Sequence, residues 1–116
     1  MNNITFEDFK KLDIRIGKVL SVEKAEGADR LLKLEVDFGE STSTGSGRLR
    51  RQIVSGIAEF YTPEDLVRKE FVFLVNLEPR RFKGIESQGM ILAADDSGKP
   101  VLLEPDKEVK VGSVVR

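Results

Sequence analysis

Apolar and polar residues alternate along much of this chain, and alternation with period two marks half-buried strands. The first run reaches from Leu12 to Val22, with Leu12, Ile14, Ile16, Leu20 and Val22 sharing one parity. Gly17 inside that run predicts a bulge or a sharp coil, as strongly bent strands need. Glu26–Asp29 reads as a turn. A second strand follows, with Leu32, Leu34, Val36 and Phe38 on one face and Lys33, Glu35 and Asp37 on the other. Arg51–Ile57 predicts a third, shorter strand ending at Ser55-Gly56. Phe71–Val75 is apolar on both parities, which predicts a fourth strand buried on both faces. Met90–Ala94 gives a fifth, Asp95–Gly98 a turn, and Val101–Leu103 and Val109–Val115 additional strands.

Two short segments carry helix-start signals. Thr5-Phe-Glu-Asp8 predicts a capped turn, with Phe6 and Phe9 available to cover one end of a core. Thr62-Pro-Glu-Asp65 supplies an N-cap, a proline at the first helical position and two acids in the first turn. The segment Gly39–Gly47, rich in Ser, Thr and Gly, has the composition of a flexible loop, here bounded as residues 41–49 within a single domain of residues 1–116. Five strands with a helix between the third and fourth is the order of an OB-fold. The predicted class is therefore mainly β: a five-stranded Greek-key barrel with extra C-terminal strands. A fold of this kind hosts many functions, so the chemistry must come from the site.

Composition narrows that chemistry by exclusion. The 116 residues suffice for one domain, and no apolar run approaches the roughly 18 residues of a membrane span. The N-terminal residues lack the apolar stretch of a signal peptide. With no Cys and no His, disulfides, thiol chemistry and most transition-metal ligand sets are excluded, and no cofactor is expected. An enzyme would lack a His base, a Cys nucleophile and a phosphate-cradling glycine loop. The acid pairs Glu64/Asp65 and Asp95/Asp96 fall at a helix start and a turn, where capping and solvation explain them.

Charge then points to one loop. The net charge is −1, yet residues 41–89 carry eight cations against six anions. Arg80, Arg81 and Lys83 sit together in Asn76–Met90, between two apolar strands. Arg can grip a phosphate through two parallel hydrogen bonds, whereas Lys acts as a point charge, so a phosphate backbone is the expected partner. A solvated basic loop is the competing reading. Asn76, Ser87 and Gln88 could contact a nucleic acid beside Gly84 and Gly89, or tie the loop to backbone. Met90 is expected to pack first and contact second. Arg51 and Gln52 on the third strand, and Lys33 and Arg30 on or near the second, adjoin the groove an OB-fold presents. Each alone is more often a solubilising surface residue. Phe82 and Tyr61 could stack on an exposed base, with Tyr61 the more structural of the two. Arg48 and Arg50 add charge at the end of the Ser/Thr/Gly loop.

Four motifs occur together: Asp13-Ile-Arg-Ile-Gly-Lys18, Ala28-Asp-Arg-Leu-Leu-Lys-Leu34, Gln52-Ile-Val-Ser-Gly-Ile57, and Asn76-Leu-x-Pro-Arg-x-x-x-Gly-x-x-Ser-x-Gly-Met90. In this order and spacing the chain resembles the tRNA-binding domain of the methionyl-tRNA synthetase beta subunit or C-terminal region, and free-standing structure-specific tRNA-binding proteins. The resemblance runs from Phe6 to Val115. It implies an OB-fold homodimer in the cytoplasm that binds the outer corner of tRNA without catalysis and assists a methionyl-tRNA synthetase catalytic chain, fused or in trans. Arg80 aligns best with the family's basic position. The doubly apolar fourth strand and the Val-rich tail are compatible with an apolar dimer interface. Two departures stand out: the loop at 41–49 is longer than usual, and the chain starts directly before the motif, as a separate subunit or an excised domain would. A CsaA-type peptide-binding chaperone is similar in fold, and a scaffold module of a multi-synthetase complex is a third reading.

Overall fold

A computed structural model describes residues 1–40 and 48–116. The elements in chain order are α1 (Phe6–Phe9), β1 (Ile14–Lys24), β2 (Leu32–Glu40), β3 (Arg48–Ser55), α2 (Pro63–Leu66), β4 (Glu70–Leu74), β5 (Arg80–Phe82), β6 (Ile85–Ser87), β7 (Met90–Ile91), β8 (Ala93–Asp96) and β9 (Lys99–Leu102). The main sheet has five antiparallel strands in the order β3-β2-β1-β4-β7, and β5-β6 and β8-β9 form two separate hairpins. The predicted mainly-β class, the helix between the third and fourth strands and one of the two additional C-terminal strands, Val101–Leu103 as part of β9, are present. Of the predicted loop at 41–49, residues 48 and 49 belong to β3, and residues 41–47 lie outside the described residues.

β1 organises the sheet because it is long enough to serve two partners. Its first half, Ile14–Lys18, pairs with β4, and its second half, Lys18–Lys24, pairs with β2. The predicted parity of β1 fails midway. A register shift between Val19 and Ser21 leaves Leu20 as the extra residue, so Val19 enters the core and Leu20 is half-buried. Leu12 lies before the strand and is exposed. Gly17 is not the bulge. A Cβ there would lie 2.5 Å from Val36 and 2.7 Å from Phe38, so its hydrogen lets neighbouring core side chains close over the bent strand.

The core is built as the second strand predicts. Leu32, Leu34, Val36 and Phe38 are all buried, and Phe38 meets Phe73 edge-to-face with ring centroids 5.3 Å apart. Leu66 of α2 enters the same cluster, and Asp65 holds the helix start by accepting the Thr62 N–H at 2.8 Å. Those hydrogen bonds from Thr62 keep the Asp65 carboxyl below its ordinary range.

Several expectations are corrected. Phe6 is 70% exposed and α1 buries no residue, so this turn does not cover the core. β4 alternates: Phe71 and Phe73 are buried, while Val72 and Leu74 are half-buried. The predicted fifth strand divides at Leu92 into β7, paired with β4, and β8, paired with β9, although the Leu92 N–H still donates to Val72 O of β4 at 2.9 Å. Residues 109–115 form no strand. Val114 bridges to Arg15, and the tail occupies the edge of β1 that β2 leaves free, through bonds such as Ile16 N–H to Ser113 O at 2.9 Å.

Asp37, expected on a polar face, is only 7% exposed. Its carboxylate accepts the Gly39 N–H and the Arg48 guanidinium, both at 2.9 Å, so it joins the chain on either side of residues 41–47. Burial pushes this carboxyl up. The hydrogen bonds from Arg48 and Gly39, with the charges of Arg48 and Arg50, outweigh that and hold it below its ordinary value of 3.8. A carboxyl lowered on folding contributes stability above its unfolded pKa and loses it as pH falls through the folded one. Asp37→Asn is therefore expected to cost about 1–3 kcal/mol at neutral pH. Urea unfolding should show that cost shrinking as the pH falls below about 4, where the wild-type group also begins to protonate.

Candidate nucleic-acid interface

An open sheet of five strands leaves two edges, β3 and β7. They are not joined by a regular ladder. Side chains from the segment before β7 reach across instead. Gln88 N–H donates to Gln52 O at 2.8 Å, while the Gln88 side-chain oxygen accepts the Gln52 N–H at 3.1 Å. The Gln52 amide donates to Glu86 O at 2.8 Å. The Ser87 hydroxyl accepts the Val54 N–H and donates to Gly89 O, both at 2.9 Å. Arg51 donates to Val75 O at 2.6 Å and to Gln88 O at 3.3 Å. Gly89, at φ +143°, threads this junction where a Cβ would lie 2.9 Å from both Ile53 and the Leu74 carbonyl.

This closure carries the β5–β6 hairpin. Lys83 and Gly84 form its two-residue turn, with φ +53° and +83°, the left-handed pair of a type I′ turn. Arg80 pairs with Ser87 and Phe82 with Ile85, so these four share one face, and Arg81 and Glu86 lie on the other. Ser87 is 2% exposed, which fixes that first face as the one turned toward the barrel. The Arg80 guanidinium lies 5.0 Å from the centroid of the Phe82 ring, in cation–π range. Arg81 donates to Gly84 O at 3.2 Å, and Lys83 stands at the tip. The three cations thus radiate around the hairpin rather than line one side.

The predicted site residues separate by what their polar groups already do. Lys33 pairs with Glu23 at 2.7 Å and Arg30 with Glu59 at 2.9 Å. Arg51 is held by carbonyls, as above. The Asn76 side chain accepts the Asp13 N–H at 2.8 Å and donates to Lys11 O at 2.6 Å, tying the start of β1 to the end of β4. Ser87 and Gln88 serve the closure. Met90 pairs with Leu74 in the sheet and is 39% exposed. Among the described residues, Arg51, Arg80, Arg81 and Lys83 have no carboxylate within ion-pair distance; Arg51 is tied to carbonyls in the closure, so the cations of this group that stand outside it are on the hairpin. A groove across β1, β2 and β3, of about 260 Å³, is lined by Glu23 and Glu35 as well as Lys33, Arg50 and Arg51. Two of its three cations are paired with acids, Lys33 with Glu23 and Arg50 with Glu35 at 3.8 Å.

The structure also brings the hairpin to a segment that sequence pattern marks only as a turn. Gly27–Leu31, between β1 and β2, faces Arg81, Phe82 and Lys83 across a groove of about 660 Å³. Arg30 is thereby grouped with the hairpin cations. Tyr61 is remote from them in role: its hydroxyl donates to Pro100 O at 3.3 Å and accepts the Leu102 N–H at 3.2 Å.

The geometry is thus a curled five-stranded antiparallel sheet with a cationic hairpin at the junction of its edge strands. Residues 14–114 match the family described as "Putative tRNA binding domain", and the chain belongs to it. It is 54% identical over 112 residues to a methionine–tRNA ligase of Archaeoglobus fulgidus, covering 97% of this chain and 16% of that relative. The chain thus spans about a sixth of the curated relative. A MetRS-related protein of Pyrococcus horikoshii superposes with a TM-score of 0.88 at 39% identity, covering 100% of both chains. The chaperone CsaA of Bacillus anthracis superposes with a TM-score of 0.83 at 35% identity, covering 99% of this chain and 100% of that one.

Ser87→Ala would strand the buried Val54 N–H. The expected cost is about 1–3 kcal/mol. Hydrogen exchange should show the loss at Val54 and across β5–β6, with β1 and β2 protected as before.

Proposed function

We propose that this chain is a non-catalytic domain that binds folded tRNA through the β5–β6 hairpin and so assists a methionyl-tRNA synthetase, to which it is attached or bound, in the cytoplasm. The observation that carries this reading is the concentration of unpaired cations, Arg80, Arg81 and Lys83, on a hairpin fixed rigidly to the barrel of a tRNA-binding family member. A second attachment point for tRNA raises its effective concentration at the catalytic chain without any new chemistry. Cations that radiate from a hairpin suit phosphates on more than one side, which favours recognition of RNA shape and backbone over sequence.

Filter binding to bulk tRNA across a salt series tests it, with single-stranded RNA and an unfolded peptide as competitors. Saturable binding that weakens with salt and resists both competitors is expected. Arg80→Ala and Lys83→Ala should each weaken binding and lower the log–log salt slope by about 0.7–0.9, one phosphate contact apiece. Unchanged affinity and slope in both would remove the hairpin from the interface. The likeness to CsaA supports a second reading, a peptide-binding chaperone. Competition by the peptide, with no tRNA retained, would select it.

The proposed homodimer draws support from exposed apolar residues before and on α1, in the segment leading into β1 and in the adjoining tail: Ile4, Phe6, Leu12 and Val114. β4 lends none, since it is flanked by β1 and β7. Sedimentation is expected to give twice the chain mass, and Phe6→Ser to shift it toward the monomer. A wild-type monomer at all workable concentrations would remove the dimer.

A further inference from the structure

The groove between the β1–β2 turn and the hairpin combines features that a phosphate-tracking surface does not need. Its hairpin wall includes Phe82, a half-buried aromatic ring, and its opposite wall includes Leu31, also half-buried. Lys83, Arg81 and Arg30 stand around it with their charges toward solvent, all three being exposed residues. Gly27, at φ +74°, has no atom within 4 Å of where a Cβ would stand, so the far side is open. At about 660 Å³, the groove falls within the roughly 300–1,000 Å³ range of small-ligand pockets.

An apolar slot with an aromatic wall and a cationic rim fits a group with a flat apolar face and an anion attached beside it. In RNA that group is a nucleotide whose base has left the stack. A continuous duplex offers no such group, because its bases face one another and its phosphates alone meet the protein. The Arg80 guanidinium lies over the Phe82 ring without lining the groove, so it orients the ring and leaves the groove side to a base. Arg30 is held by Glu59 and the turn carries Asp29, so this wall contributes less net charge than the hairpin. The base would therefore sit against Phe82, with its phosphate toward Arg81 and Lys83.

We infer that this groove receives one unstacked nucleotide of the bound RNA, with Phe82 as the stacking residue. The inference rests on the tRNA-binding reading and adds base contact to what the hairpin cations supply alone. Phe82→Leu keeps an apolar side chain but removes the ring, and Phe82→Tyr keeps the ring. Phe82→Leu is expected to weaken tRNA binding by about tenfold, within the range of single base–aromatic stacks, while leaving the salt slope unchanged. Phe82→Tyr should bind tRNA like the wild type. Affinity for a blunt RNA duplex without unpaired nucleotides should be the same in all three proteins, since that ligand would use only the cations. Wild-type affinity of Phe82→Leu for tRNA would overturn the inference and leave tRNA binding standing. Equal losses toward tRNA and duplex would also overturn it, because the ring would then only support the hairpin. Failure of the wild-type protein to bind tRNA would overturn the proposed function, and this inference with it.

Discussion

The junction between β3 and the segment entering β7 is the constraint on which the remainder of the molecule depends. An open sheet ends in two rows of unpaired N–H and C=O groups, and each buried one must find a partner. Here the chain reaches β7 through Gly89, whose backbone at φ +143° runs close against Ile53 and Leu74, and no regular ladder joins the strands there. Side chains supply the missing partners: Ser87 for Val54, Gln88 for Gln52, Gln52 for Glu86, and Arg51 for the carbonyls of Val75 and Gln88. The barrel is completed by polar side chains acting as lengths of backbone.

That device changes how the residues around the hairpin should be understood. A serine, a glutamine and an arginine beside glycines in a cationic segment resemble a nucleic-acid contact set. Their hydrogen-bonding groups are nevertheless largely turned inward. The Ser87 hydroxyl has both a donor and an acceptor partner within the protein, and the Asn76 amide likewise joins two backbone groups. Such residues can govern binding without touching the ligand, by holding the hairpin at a fixed angle to the barrel. Preorganisation of this kind lowers the ordering cost of association.

The fold is legible in the sequence where local pattern and tertiary contact agree. β2 alternates cleanly because its apolar residues meet one core and its bulge comes only near its end, between Asp37 and Glu40. β1 misleads because the extra residue at Leu20 transfers the buried set from one parity to the other, and nothing in the local sequence marks it. The β5–β6 hairpin is hidden for another reason. Its strands are three residues each, heavily charged, and joined by Lys83-Gly84 rather than the Asn-Gly or Asp-Gly that signals a type I′ turn. Asp37 has the pattern of a surface acid, since its partner Arg48 lies beyond residues 41–47. Within the candidate site, the cations and Phe82 are visible in sequence, whereas the grouping of Gly27–Leu31 with them arises only when the sheet curls.

A chain of net charge −1 can still present a polyanion-binding surface, because solvent and salt make electrostatics local. At physiological ionic strength exposed charges are screened over about 8 Å. A distant excess of acids therefore matters less than the immediate surroundings of each cation. Across the outer face of β1, β2 and β3, Lys33 and Arg50 lie beside Glu23 and Glu35, and their fields largely cancel where they stand. On the hairpin the nearest acid in register, Glu86, is half-buried on the face opposite Arg80, and Lys83 is carried to the tip by the turn. Charge is paired off on the broad faces, whereas on the hairpin Glu86 stands across from Arg81 alone and Arg80 and Lys83 have no acid in register. The hydrogen bonds of Ser87, Gln88, Gln52 and Arg51 at the sheet closure set that projection in place.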